Sequence, residues 1–257
     1  MLQTEPEFSL VIPLYNEAAC AKRSVQDILD ALEAHVAGRY ELILVINGST
    51  DGTGAICESF AQRYPHVKTV RFNENQGYGG GILGGLAHAQ GTYCGFTCGD
   101  GQAPPEVLIR LLSEIAGGEY DVVKATRIKR RDGLARSLQS AVYNWMFRWI
   151  FQVPSRDINA MPKLLRREVY EQLALESTDW FIDAEIMIKA HHGGWRILEV
   201  PAESLGRIGG ASTVRLGTCF EFLVNAVRIL WSGKFNTWKR MRATPLSTLS
   251  TPTDAAH

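Results

Sequence analysis

The chain is 257 residues long, 46% apolar and 21% charged, enough for one large domain with a buried core or a domain with a small appendage. Lys plus Arg and Asp plus Glu are both 27, so no global positive field exists to hold nucleic acid non-specifically. The five cysteines, Cys20, Cys57, Cys94, Cys98 and Cys219, are scattered and contain no CxxC pair, which excludes a zinc ribbon and a disulfide framework and fits a reducing cytoplasm.

In chain order, FSLVIPL (8–14) reads as a buried strand, and residues 18–34 carry Val25, Ile28, Leu29 and Leu32 at helical spacing. ELILVI (41–46) is a second strand, after which Ser49 or Thr50 is placed to cap a helix running to about 63. VKTVRF (67–72) is a third strand, 78–89 a glycine-rich helix, and TYCGFT (92–97) a fourth strand. Pro104 and Pro105 suit the first turn of a helix over 104–116, and YDVVKA (120–125) is a fifth strand. This alternation predicts an α/β fold, a mainly parallel sheet flanked by helices, with ligands outside the carboxyl ends of the strands.

The second half is less regular. A helix is expected over 136–151, an extended piece at DINAMPKLL (157–165), a helix over 183–192 and a strand at WRILEV (195–200). Residues 203–215 read as a glycine-rich loop and 217–232 as a helix whose Phe220, Leu223, Val224, Val227 and Leu230 share one face. Domain bounds follow: a globular domain over 1–216, an amphipathic helical segment over 217–242 and a disordered tail over 243–257. The N-terminus has no signal-peptide pattern, and no apolar run is long enough to span a membrane.

Three motifs fall at strand ends: VIPLYNE (11–17), VINGSTDGT (45–53) and CGDGQAPPE (98–106). In this order and spacing they resemble the family 2 glycosyltransferases of GT-A (Rossmann-like) fold, most of all the dolichyl- and polyprenyl-phosphate sugar synthases, over roughly 8–235. The resemblance implies an inverting enzyme that moves a sugar from a GDP- or UDP-linked donor to a polyprenyl phosphate. It makes Pro13, Tyr15 and Glu17 part of the nucleotide pocket, with Asn47, Ser49 and Asp51. From the residues alone, Asn16 or Glu17, and Ser49, Thr50 and Asp51, read equally as helix caps. Ile46 and Asn47 stand where the family has two aspartates, and Asn47 still offers an amide oxygen.

CGDGQAPPE aligns with the family's metal motif, which implies Asp100 and Gln102 as ligands of Mg2+ or Mn2+. Cys98 replaces the first acid, and a thiol is a poor ligand for a hard ion, so the metal is expected to be weakly held. Arg127, Arg136 and Ser137 match family positions after the fifth strand, where guanidinium forks suit an acceptor phosphate or the donor diphosphate. The cluster Lys129–Arg131 reads instead as a solvated basic loop. In the 203–215 loop Arg207, Gly209 and Ser212 match a stretch that closes over the donor, which makes Asp100, Arg127 and Arg207 the catalytic candidates. Asp157, Asp183 and Glu185 are candidate sugar contacts, and Asp183 and Glu185 read alternatively as caps.

A monophosphate acceptor is already an anion at neutral pH and attacks without a general base, whereas a hydroxyl acceptor needs one. Transfer to a soluble or polysaccharide acceptor, with Asp157, Asp183 or Glu185 as base, therefore stands as the alternative enzyme. A catalytically silent nucleotide-sugar-binding protein is the alternative from another class, motivated by the acids missing at 46, 47 and 98. Trp231, Phe235 and Trp238 among Lys234, Lys239, Arg240 and Arg242 suit a headgroup layer, so peripheral docking on the cytoplasmic membrane face is expected, with a membrane protein as a further partner.

Overall fold

The structure is a computed structural model that describes residues 5–129 and 134–203 together with Phe235, Thr237 and Trp238, with backbone alone at 129 and over 134–142. The chain divides into two units, Met1–Arg215 and Leu216–His257. In the second unit, Phe235 and Trp238 stack with ring centroids 5.7 Å apart, and Trp238 is 5% exposed. The expected helix over 217–232, the Arg207–Ser212 loop and the tail lie outside the described residues.

The first unit alternates strand and helix: β1 (Phe8–Leu14), α1 (Ala18–Val36), β2 (Tyr40–Asn47), α2 (Thr53–Arg63), β3 (Val67–Phe72), α3 (Gly77–Leu86), β4 (Tyr93–Phe96) and α4 (Pro105–Ala116). There follow β5 (Val122–Lys129), α5 (Leu134–Phe151), β6 (Lys163–Arg166), α6 (Arg167–Leu173), α7 (Ile182–His192) and β7 (Ile197–Glu203). Among the described residues they form one seven-stranded sheet of order β3-β2-β1-β4-β6-β5-β7. Every pairing is parallel except those of β6, which runs antiparallel to both β4 and β5. Strands β1, β2, β4 and β5 thus end on one edge, and the loops after β1, β2 and β4 share it.

Both faces of the sheet are covered. One core holds Leu10, Ile12 and Leu14 of β1 with Leu29, Leu32, Leu44, Leu108 and Leu112, under α1, α2 and α4. The other holds Val11, Ile43, Val45, Ile82, Phe96, Leu165 and Ile186 under α3, α6 and α7. This double burial explains why β2 reads as a nearly continuous apolar run rather than an alternating one. α3 lies close against its neighbours because its glycines have no side chains. A Cβ on Gly85 would collide with Val11 Cγ1, and one on Gly79 with the Ser177 carbonyl oxygen.

Three local features differ from the sequence expectation. Neither Ser49 nor Thr50 caps α2: the helix starts after Gly52, Ser49 Oγ donates to the Leu14 carbonyl (3.2 Å), and Asp51 Oδ1 takes the Thr53 amide (3.0 Å). The piece at 157–165 becomes strand only from Lys163, after a cis Met161–Pro162 bond. The short helix α6 follows β6 directly, a helix that apolar spacing does not announce.

Candidate functional site

The loops after β1 and β2 are laced together by polar side chains. The Asn16 amide donates to Ser49 Oγ (3.1 Å), and the Thr50 amide donates to Asn16 Oδ1 (2.9 Å). The Glu17 amide donates to Thr53 Oγ1 (2.9 Å), and the Ala18 amide, the first of α1, donates to Asp51 Oδ2 (3.1 Å). Asn16 holds φ +54°, a left-handed conformation that asparagine tolerates better than most residues. Burial pushes the Asp51 carboxyl up, but hydrogen bonds from Thr53 and the Ala18 amide outweigh it and hold the group below its ordinary range. Ser49 and Asp51 thus shape this edge, with Pro13 and Glu17 partly buried and Tyr15 40% exposed above it.

Asn47 is 3% exposed, and its amide is engaged by the start of α3. Its Oδ1 accepts from the Gln76 amide (3.0 Å), and its Nδ2 donates to the Gly77 carbonyl (2.9 Å) and to Asn75 Oδ1 (3.2 Å). The family alignment gives its amide oxygen to the nucleotide; here both ends of the amide fix the turn that starts α3. An aspartate cannot donate to Gly77, which is a physical reason for the neutral residue.

The Cys98–Gln102 segment after β4 is gripped from α1. Ser24 Oγ donates to the Gly99 carbonyl at 2.5 Å and Cys20 Sγ approaches it at 3.6 Å. Asp100 Oδ1 accepts the Gln102 amide (3.0 Å). Burial, then the Asp100 carboxylate, push the Cys98 thiol above its ordinary range, so it stays neutral at pH 7. Among the described residues no three His, Cys, Asp or Glu side chains converge as a metal cluster. Asp100 remains one hard oxygen donor on a partly exposed loop, which fits a divalent ion that takes its other oxygens from a bound diphosphate and water.

Beside this loop stands a pair of aromatics that sequence reasoning missed. Tyr78 on α3 stacks on Trp180 with centroids 4.2 Å apart and planes 13° from parallel, and its hydroxyl donates to Met161 Sδ (2.9 Å). Burial, then Asp183, Cys98 and Asp100, raise the Tyr78 hydroxyl well above its ordinary range. The single tyrosine in a glycine helix was the available signal.

The candidate sugar acids are all held by cations or amides. Asp157, 5% exposed, forms a two-point pair with Arg127: Nε–Oδ2 is 2.6 Å and Nη2–Oδ1 is 2.7 Å. Asp183, 1% exposed, pairs with the fully buried Lys163, whose ammonium also lies 5.7 Å from the Phe96 ring centre. Glu185 accepts the amides of Glu176 and Ser177 (3.1 and 2.8 Å) and pairs with Lys189 (2.7 Å), anchoring the 175–180 loop to α7. Its carboxylate thereby anchors that loop. The structure brings Arg127 and Asp157 together as one pair. Arg136 and Ser137 lie in the first turns of α5 with side chains outside the described residues, as are Arg207 and Ser212 altogether.

Comparison with known proteins agrees with this architecture. The family model described as glycosyl transferase family 2 matches residues 9–172. The dolichyl-phosphate beta-glucosyltransferase of Saccharomyces cerevisiae is 27% identical over 75% of this chain and 65% of its own length. The dolichol-phosphate mannosyltransferase of Pyrococcus furiosus is 26% identical over 89% of this chain and likewise 65% of its own length, so the chain spans just under two thirds of each. Among solved structures, glucosyl-3-phosphoglycerate synthase from Mycobacterium tuberculosis, in complex with Mn2+, UDP and glucosyl-3-phosphoglycerate, superposes with a TM-score of 0.64 at 19% identity, covering 87% of this chain and 79% of that one. The family match runs across more than half of the chain and takes in the loops after β1, β2 and β4, so the chain belongs to glycosyl transferase family 2 and has the GT-A fold.

Proposed function

We propose that the chain transfers a sugar, with inversion, from a GDP- or UDP-linked donor to a polyprenyl phosphate at the cytoplasmic face of a membrane. The observation that carries this reading is the state of the three acids. Asp157, Asp183 and Glu185 are each at most 5% exposed and engaged by Arg127, Lys163 or Lys189. A carboxylate paired in this way is a poor general base, and a phosphate acceptor needs none. The names of the yeast and Pyrococcus relatives agree.

In this mechanism Tyr15 and the 13–18 and 48–53 loops receive the nucleoside. Asp100, with Gln102 beside it, would hold Mg2+ or Mn2+, which supplies charge neutralisation at the donor diphosphate. Arg127, its fork oriented by Asp157, faces phosphate, with Arg136, Ser137, Arg207 and Ser212 as the further candidates for the same role. An acceptor phosphate oxygen attacks the anomeric carbon, the new C–O bond forms as the bond to the diphosphate oxygen breaks, and the nucleoside diphosphate leaves with its electron pair. An α-linked donor gives a β-linked product.

Membrane docking falls on α5 in this reading. Trp145 and Trp149 are 60% and 76% exposed, one helical turn apart, with exposed Arg148 beside them and Ile128 58% exposed at the end of β5. Exposed indoles with a cation suit the headgroup layer. Trp238, expected in that role, is 5% exposed, and nearly all the rest of 217–242 lies outside the described residues. Among the described residues no helix is long and apolar enough to cross a membrane.

The test is transfer from labelled GDP- and UDP-sugars to short polyprenyl phosphates and, separately, to hydroxyl acceptors, for the intact chain and Arg127→Ala. Lipid-phosphate product lost in the variant supports the reading. Transfer to hydroxyl acceptors alone, or full lipid transfer by Arg127→Ala, overturns it.

A further inference from the structure

One rung of the sheet is charged across its last three strands, β6, β5 and β7. Register pairs Lys163 of β6 with Lys124 of β5, and Lys124 with Glu199 of β7. Both lysines are 0% exposed, beside the buried Val122, Val123, Leu164 and Leu165. Lys163 is matched by Asp183 from α7 and donates to the Ala160 carbonyl (2.9 Å). Lys124 Nζ donates to the Asp157 carbonyl (2.6 Å) and the Ala125 carbonyl (2.9 Å), with Glu199 Oε1 at 3.5 Å. Glu199 in turn takes the Ser155 hydroxyl and the Arg156 amide (3.2 Å), so the 155–157 turn is pinned from beneath by Lys124 and Glu199 together. The same turn presents the Asp157 carboxylate to Arg127.

We propose that Lys124 is a positioning residue: by holding the 155–157 turn it sets the Asp157 carboxylate, and through it the angle of the Arg127 fork toward the acceptor phosphate. The proposal rests on the phosphate-handling role given to Arg127 above. The turn carbonyl needs a donor that reaches it from inside the sheet, and a lysine supplies one at the end of a long apolar stem. A methionine of similar length fills the space without a donor.

The geometry has a pH consequence. The charged groups facing Lys124 are Lys163 on β6, with Asp183 behind it on α7, Glu199 on β7, and Asp157 with its partner Arg127 at the turn. Burial, then Lys163, lower the Lys124 ammonium to about 8, against the pull of Glu199 and Asp157. Above that pH the amine keeps two of its three hydrogens, and the turn loses a charge-assisted hydrogen bond.

Two measurements decide it, on the full chain, with Lys124→Met and Lys124→Arg. The first is hydrogen exchange of the peptide covering 152–160 without substrates, at about pH 7 and about pH 9.5, corrected for the intrinsic rise in exchange with pH. The wild type should lose protection there between the two pH values, and Lys124→Met should lack it at both. The second is steady-state kinetics with a short polyprenyl phosphate. Lys124→Met should raise acceptor KM about tenfold and leave donor KM unchanged, as removal of one hydrogen bond to a charge implies. Lys124→Arg, which keeps its charge, should flatten the alkaline rise in acceptor KM. Wild-type protection in Lys124→Met at both pH values, or equal donor and acceptor effects, overturns the proposal. If Lys124→Met does not fold, unchanged wild-type protection across the pH range overturns it by itself. Absence of any lipid transfer by the wild type counts against the function above, and the exchange result still decides whether Lys124 holds the turn.

Discussion

In β2 all eight residues are buried, and all but Glu41 and Asn47 are hydrophobic; further along the same sheet, the rung through β6, β5 and β7 sets two buried lysines beside a glutamate. The β1–β4 half is held by aliphatic packing on both faces, with many of its polar groups gathered in the loops at the strand ends. The β5–β7 half carries charged groups inside. The difference shows where rigidity comes from. The first half relies on shape, and its loops are tied by side chains that accept from nearby main-chain amides. The second half has an antiparallel insertion, β6, and a long connection from Gln152 to Pro162, and it fixes that connection with buried charges.

The sharpest way to break this contrast is to leave one buried charge alone. Asp183→Asn strands the Lys163 ammonium and should lower stability by about 3–5 kcal/mol, whereas Lys163→Met with Asp183→Leu should come close to wild type. Thermal unfolding of the three proteins checks both. A crowding change in the apolar half should weigh less: Gly85→Ala forces a Cβ against Val11 and Val45 and should lose about 1–3 kcal/mol, measured by denaturant unfolding. Arg127→Ala should reduce turnover on the order of tenfold or more, and Arg127→Lys should recover only part of it because the two-point grip on Asp157 is lost.

The pH profile of stability should show an acid window and an alkaline one. Asp51 and Glu199 ionise below their ordinary ranges in the folded chain, so their contribution is complete above the unfolded carboxyl values and is lost as pH falls through the folded ones. Lys124 acts with the same sign in an alkaline window. Its folded value, about 8, lies below the ordinary 10.5, so between them the unfolded chain binds more protons and this group makes folding more favourable as pH rises. Followed across that window, the unfolding free energy of the wild type should gain on that of Lys124→Met. Cys98→Asp should strengthen the response of nucleoside diphosphate binding to Mg2+ by adding a hard ligand beside Asp100.

The regular half was legible because its signals are local. Apolar runs of strand length, helical spacing after them and prolines at 104 and 105 locate β1 to β4 and α1 to α4 within a few residues. The strand-end motifs mark the site edge for the same reason. What sequence could not supply was long-range partnership. The hold of Asn47 on the turn that starts α3 emerges only once its partners 28 to 30 residues away are known. Lys124 and Lys163 look like ordinary solvent-facing lysines of strands, because a linear reading does not reveal that both faces of β5 and β6 are covered. Trp180 gives no periodic signal, being in a loop, and its partner Tyr78 lies in a distant helix.

That stacked pair makes the protein its own optical instrument. Two rings 4.2 Å apart and nearly parallel couple their electronic transitions, so the Tyr78–Trp180 couple contributes a near-ultraviolet circular dichroism signal that depends on its separation and tilt. Because Tyr78 sits electrostatically against Asp183, Cys98 and Asp100, a charge arriving beside Asp100 should perturb the couple. Nucleotide binding would then be readable in unlabelled protein, with a Trp180→Phe chain as the blank.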